Sequence, residues 1–287
     1  MAAMTIAIIG AGRLGRTLAA ALAARGEAVV ALGGRRPPLE AAAGIAGCRA
    51  LEAAEAAAAA ELVFLTVPDD AIASLAAALP WRAGQAVVHC SGATELTALR
   101  SAADAGAQIG GFHPLQIFSD PVRAAALLAG SSVAIEAQHP PLRAELQRLA
   151  AVLSMRALSL RPGTRAAYHG AASFAASFLL SMLDEALQVW EAIGLPPEQA
   201  LPALLPLARG TLQAAESRGL AGALAGPISR GDARVVDAHL RAFDALGGAH
   251  GRFYRELARR QLPLARASGR LDEATLQRLA ALLDEAA

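Results

Sequence analysis

Cysteine is almost absent from this sequence: Cys48 and Cys90 are the only two, and their spacing pairs with nothing. On that count neither a disulfide framework nor a zinc site is suggested. Charge of one sign is missing too. The formal net charge of +1 leaves none of the basic footprint that nucleic-acid binders carry. Long uninterrupted apolar runs are also scarce. Ala53 to Ala60 is alanine-rich but broken or flanked by Glu52, Glu55 and Glu61, which marks a helix of a water-facing protein rather than a membrane span. The N-terminus enters a strand without a basic leader or cleavage signal, so the expectation is no targeting peptide and, by default, a cytoplasmic location. What the chain has in quantity is bulk. Its 287 residues, 55% of them hydrophobic, can bury a large core and allow two domains.

The most informative stretch is Thr5 to Gly15, TIAIIGAGRLG. Ile6 to Ile9 form a short apolar run with β-branched weight, as expected of a central parallel strand covered on both faces. Gly10 permits a tight turn, Gly12 lets the backbone approach a pyrophosphate, and Gly15 lets the following helix pack closely. Ala11, Arg13 and Leu14 complete the turn and open the helix, whose unpaired amides and positive dipole end face the phosphates. The pattern in this position predicts dinucleotide binding. Glu27 to Leu32 reads as the second strand, and Gly33, Gly34, Arg35, Arg36 follow it. A dinucleotide without a 2′-phosphate calls for a carboxylate here; the two arginines instead suit a 2′-phosphate, so the expected cofactor is NADP(H).

Leu62 to Val67 is a buried strand ending at Pro68, Asp69 and Asp70, with Val67 and Pro68 bordering the ligand crevice and the two aspartates favoured at a helix start. Gln85 to His89 is the next strand and opens into Cys90, Ser91, Gly92, Ala93, Thr94. Ser91 and Gly92 read as nicotinamide or substrate contacts, and Ser91 or Thr94 equally as a helix cap. In Ile109 to Phe118, the pair His113–Pro114 is expected to set an imidazole in a constrained turn, as acid, base or structural contact. Ser131 to Glu136 and Arg156 to Leu160 are further strands around a helix from Pro141 to Leu153. From Pro162 onward strand signals stop. Arg165 to Ile193 is predicted as one helix of about 40 Å, with His169, Ser173 and Ser177 along one face. Pro202 to Ser217 is a further helix. Leu224 to Asp232 breaks the pattern, Arg230 within it being a candidate site wall and Asp232 a cap, and helices Ala233 to Leu246 and Asp272 to Leu283 close the chain. The expected fold class is α/β, a Rossmann-type doubly wound parallel sheet followed by an all-α domain, with an NADP-binding domain over 1–161 and a helical substrate and dimerisation domain over 162–287.

GAGRLG, HCSGA at His89 to Ala93, GFHPLQIF at Gly111 to Phe118, AYHGAASFAASF at Ala167 to Phe178 and GPISRGD at Gly226 to Asp232 resemble, as an ordered set, a bacterial family of uncharacterised Rossmann-like oxidoreductases. The helical C-terminal half of that family is a domain of unknown function. More distantly the chain is similar to ketopantoate reductase, pyrroline-5-carboxylate reductase, the β-hydroxyacid dehydrogenases and the deazaflavin-dependent NADP reductases. The resemblance implies an NADP domain, a helical domain, a homodimer and an active site between the domains. In the β-hydroxyacid dehydrogenases a lysine and an asparagine lie one turn apart on the interdomain helix; here the comparable helix offers His169 and Ser173, so the lysine acid is missing. Relatives also carry asparagine where this chain has Ser177. The expected function is reduction of a small carbonyl or imine compound, such as a ketopantoate-like 2-oxo acid or a cyclic imine. His169 or His113 would donate the proton, and Ser91, Ser173 and Arg230 would orient the substrate. The alternative is a non-catalytic NADP(H) sensor with a partner-binding helical half. Neither nucleic acid nor membrane is an expected partner.

Overall fold

The computed structural model describes residues 4–118 and 126–284. Two compact units emerge, Met1–Ser173 and Phe174–Ala287. The first holds an eight-stranded sheet: β1 Ile6–Ile9, β2 Val29–Gly34, β3 Arg49–Glu52, β4 Leu62–Leu65, β5 Ala86–His89, β6 Gln108–Leu115, β7 Ser132–Ala137 and β8 Arg156–Ser159. Their spatial order is β3-β2-β1-β4-β5-β6-β7-β8. Every pairing is parallel except β6 with β7, so the sheet is mostly rather than wholly parallel. Strand order reverses at β1, where β2 lies on one side and β4 on the other. That switch point is where open α/β sheets bind ligands, outside the carboxyl ends of the strands.

Burial explains why these short strands read as apolar runs. All residues of β1, β4 and β5 are buried, because helices cover both faces of the sheet. One core lies around Ile6, Ile8, Leu32, Phe64, Val88 and Phe112, the other around Ala7, Ile9, Val63, Leu65, Ile72 and Val87. Alternate residues of each strand feed opposite cores, as the two-residue period demands. Helix α1, Arg13–Ala23, follows β1; α2 is Leu39–Ala43, α3 Ala53–Ala58, α4 Asp69–Ala78, α5 Arg100–Asp104 and α6 Pro140–Val152. Asp69 and Asp70 occupy the first turn of α4, where the helix dipole favours them.

Two expectations about local conformation change. His113 sits within β6, paired with Ala134 of β7, and not in a turn; the extended geometry imposed by Pro114 suits a strand equally well. The helix expected over Arg165 to Ile193 is two helices, α7 Arg165–Ala175 and α8 Ser177–Ala192, separated by Ala176 at φ −119°, ψ −93°. The same α7 accounts for the compact unit ending at Ser173 rather than at residue 161: Arg165, the first residue of α7, is fully buried in the first unit.

In the second unit α9 runs over Pro197–Ala223, absorbing Pro202 and Pro206 and breaking at Gly219, φ 68°. Short helix α10, Pro227–Arg230, lies inside the glycine-proline loop, and α11 Ala233–Leu246, α12 His250–Ala267 and α13 Glu273–Asp284 follow. Asp232 caps α11, its carboxylate accepting from the Val235 amide at 3.1 Å. Ile228, Val236, Leu240, Ala258, Leu276 and Leu279 form the core of this unit.

Candidate active site at the carboxyl ends of the strands

The turn after β1 is shaped by its glycines. Gly10 has φ +112°, and a Cβ there would lie 2.7 Å from the Thr66 carbonyl oxygen. At Gly15 a Cβ would strike the Gly10 carbonyl and approach Thr66 Oγ1 at 2.6 Å. Gly12 differs: nothing lies within 4 Å of where its Cβ would project. Gly12 is the N-cap of α1 and supplies no side-chain acceptor, so the first amides of the helix face an open surface flanked by Ala11, exposed Arg13 and Leu14. Such a surface suits an anion. Arg35 and Arg36, just beyond β2, are exposed and make no ion pair or hydrogen bond with the described residues. Val67 and Pro68 leave β4 between this turn and the end of β5.

The loop after β5 is closed internally. Ser91 Oγ accepts from the Ala93 and Thr94 amides (3.2 and 2.9 Å) and donates to Thr94 Oγ1 at 2.9 Å. The Ser91 hydroxyl is therefore occupied within its own loop, neither a free ligand group nor a cap of the turn at Leu96–Leu99, whose N-cap is Glu95. Glu95 instead caps α7, accepting from the Gly163 and Arg165 amides at 3.1 Å each. A carboxylate there meets the positive end of the helix dipole and ties the start of α7 to the β5 loop.

Arg165, Tyr168 and His169 fall on one face of α7 by their i, i+3, i+4 spacing, and that face meets the sheet. Fully buried Arg165 donates through Nε to Glu136 Oε2 at 2.7 Å and through Nη1 to the Ser91 carbonyl at 2.9 Å. Its guanidinium fills the space where a Cβ of Gly111 would stand. Sequence reasoning missed this pair. The available signal was Glu136 itself, a carboxylate in an apolar strand, which calls for a buried cation.

Around Gly92 three side chains converge. His113 Nδ1 and the Tyr168 hydroxyl are 3.0 Å apart, and the His113 and His169 rings lie edge to face, centroids 5.8 Å apart. A Cβ on Gly92 would strike the His169 ring and reach within 2.9 Å of His113 Nε2, so only glycine permits this approach. Burial, aided by the nearby His169 and Arg165 charges and opposed by Asp69, lowers the His113 pKa to about 4. Burial raises the Tyr168 phenol. Both groups are neutral at pH 7. His169 is exposed. His89 is wholly buried, neither ring nitrogen hydrogen-bonded among the described residues, and burial lowers its pKa to about 3.

The structure thus brings His113, His169, Ser91 and Gly92 together. Ser173 is half-buried one turn beyond His169. Arg230 belongs to the second unit, exposed at the end of α10. There Arg270 holds the surrounding loop through the Leu224 and Gly222 carbonyls at 3.0 and 2.9 Å.

Residues 5–92 match the family model NADP oxidoreductase coenzyme F420-dependent, and residues 131–261 match a domain of unknown function, DUF2520. No curated protein matches. A Bacteroides fragilis protein assigned as an NADP oxidoreductase superposes with TM-score 0.70 at 25% identity, covering 94% of this chain and 99% of that one. A Thermotoga maritima protein gives 0.73 at 21% identity, with 93% and 100% covered. The reductive aminase of Aspergillus terreus, solved with NADPH and ethyl-5-oxohexanoate, gives 0.65 at 16% identity, with 96% and 98% covered. Residues 5–92 are thus similar to NADP oxidoreductases and residues 131–261 to DUF2520, on a mostly parallel Rossmann-like sheet that switches at β1.

Proposed function

We propose that this protein is an NADP(H)-dependent oxidoreductase that reduces a small carbonyl or imine compound. The observation that carries the reading is the convergence of His113, Tyr168 and His169 on Gly92, at the same edge of the sheet as the open glycine turn after β1. The nucleotide's pyrophosphate fits the amides of Gly10 to Gly15, its 2′-phosphate fits Arg35 and Arg36, and Val67, Pro68, Ser91 and Gly92 border the nicotinamide end. When bound, NADPH supplies a hydride. The chain's own task is to orient the acceptor, exclude water and deliver a proton. Held neutral by burial, His113 is a hydrogen-bond donor rather than a proton reservoir, which leaves exposed His169 as the proton donor.

NADPH and NADH titrations followed by absorbance assays against 2-oxo acids, cyclic imines and aldehydes test the reading. NADPH should bind more tightly than NADH, and Arg35→Ser with Arg36→Ser should weaken NADPH about tenfold or more, the loss of roughly 1.4 kcal/mol of phosphate contact, while sparing NADH. His169→Ala should lower kcat about 10²-fold without loss of NADPH binding. Failure to bind either nucleotide would sink the proposal; tight binding without turnover of any compound would favour a sensor.

The homodimer belongs to the same proposal. Arg165–Ala192 is long and apolar enough to cross a membrane by length and composition alone, with a mean hydropathy of 1.2. No residue of α8 is buried in the single chain, and Phe174, Phe178 and Leu180 are exposed. Large exposed apolar side chains of this kind mark an interface, and Asp184 and Glu185 on α8 favour a second copy of the chain over lipid. Light scattering should return twice the mass of the 29.2 kDa chain; a monomer at micromolar concentration would end the idea.

A further inference from the structure

We propose that the Gly92 amide and His113 Nε2 form an oxyanion hole, and that the substrate is therefore an anionic carbonyl compound of the 2-oxo acid type rather than an iminium. This rests on the reductase reading above and selects within it. Arg165 Nη1 holds the Ser91 carbonyl at 2.9 Å. The Ser91–Gly92 peptide is trans, so its N–H points away from that carbonyl. Among the described residues the Gly92 N–H has no hydrogen-bond partner. Nothing but hydrogen projects from Gly92 Cα, which admits His113 Nε2 alongside.

Tyr168 fixes which nitrogen of His113 carries the proton. The phenol is a stronger acid than a neutral imidazole N–H, so the 3.0 Å bond runs from the Tyr168 hydroxyl to Nδ1, and the proton of the ring sits on Nε2. Two neutral donors then belong to neighbouring groups, His113 Nε2 lying 2.9 Å from where a Gly92 Cβ would stand, and a pair of such donors stabilises a developing alkoxide. Tyr168 and Arg165 are positioning residues, each aiming a donor that touches the substrate.

Electrostatics select the same class. The positive charge of Arg165 acts on His89, Cys90, His113 and Tyr168, its Nη1 facing the Ser91 carbonyl of this loop while Glu136 takes its Nε. The guanidinium turns toward the loop and its counter-ion lies behind. Among the described residues a cationic iminium meets no spare carboxylate in this cluster but exposed Asp69, because Glu136 is bound to Arg165 and Glu95 to backbone amides. A carboxylate beside the reacting carbonyl is favoured by the same field. The balanced step moves two electrons and one hydrogen from NADPH to the carbonyl carbon as hydride, shifts the C=O π pair onto oxygen, and adds a proton from His169, giving the 2-hydroxy acid and NADP⁺.

Nuclear magnetic resonance of the NADP⁺-saturated full chain tests this without turnover. Ser–Gly occurs twice, at Ser91–Gly92 and Ser268–Gly269, so carbonyl-¹³C serine with ¹⁵N glycine isolates two amides. Oxamate, a 2-oxo acid mimic, should shift the Gly92 amide and the His113 Nε2 signal and leave Gly269 still. The imine mimic cyclohexylammonium should shift neither. In the free protein His113 should be the Nε2–H tautomer, and Tyr168→Phe should convert it to a tautomer mixture, a change that packing loss alone does not produce. With a responsive 2-oxo acid, His113→Leu should lower kcat about 10²- to 10³-fold. A response to cyclohexylammonium and not to oxamate, or to neither, in a chain that still binds NADP⁺ overturns this inference while leaving the reductase reading intact. Loss of NADP⁺ binding overturns both.

Discussion

Glu136→Leu should cost about 3–5 kcal/mol of unfolding free energy, the typical loss when one partner of a buried ion pair is removed. Arg165 is wholly buried, and among the described residues its Nη2 has no partner and Glu136 is the one carboxylate paired with its side chain. Without it, a guanidinium is left in the core with the Ser91 carbonyl as its sole acceptor among the described residues. The double replacement Glu136→Leu with Arg165→Leu should recover most of that loss, because apolar side chains of similar bulk commonly replace a buried pair at little cost. The two changes touch, so their energies are far from additive. Recovery of stability should not bring recovery of turnover, since nothing then holds the Ser91 peptide with its amide turned outward. Urea unfolding of the two variants and the parent decides it. A single variant that loses less than about 1 kcal/mol would mean that water reaches the guanidinium and that the pair is not buried in solution.

That pair also shows where the sequence is legible. The turn after β1 was readable because every constraint on it is local: an apolar run, three glycines at fixed offsets and a helix start lie within Thr5 to Gly15. The boundaries drifted where glycine misleads. Gly33 reads as a stop signal, yet it lies inside β2, where a Cβ would press within 2.7 Å of Ala56 Cβ on α3; close packing, not a turn, requires it. The break at Ala176 had no signal, because alanine is the best helix former and only tertiary context bends the chain there. The chemistry was half legible. His113 and His169 stand out as residue types, but what makes them a cluster is a crossing of β6 and α7, 55 residues apart in the Tyr168 contact. Arg165 is more distant still from the residue it controls, Ser91. Such long-range partners leave a trace only as a misplaced charge, here Glu136 in an apolar strand.

Acid should unfold the first unit through its histidines. Below about pH 6.5 an unfolded imidazole binds a proton, whereas in the folded chain His113 resists until about pH 4 and His89 until about pH 3. Folded pKa values below the unfolded ones mean that the unfolded state binds more protons as pH falls. Stability is complete above about pH 6.5 and declines toward pH 3, by up to about 1.4 kcal/mol per pH unit for each histidine. Two such groups acting together over two units remove on the order of 5 kcal/mol, comparable with the whole stability of many domains. His89→Leu separates the causes. It deletes two buried nitrogens that have no partner among the described residues, which should raise stability at pH 7.5 by about 1–3 kcal/mol, and it should roughly halve the acid slope by leaving His113 alone to titrate. A variant as acid-labile as the parent would place the burden elsewhere, on carboxylates such as Glu136. His113→Leu should flatten the slope in the same way but abolish the second donor beside Gly92, so the pair of variants divides stability from chemistry. Only His113 has a ring nitrogen beside Gly92 and a phenol to aim it; His89 has neither, and its burden on stability is the part that the reaction does not require.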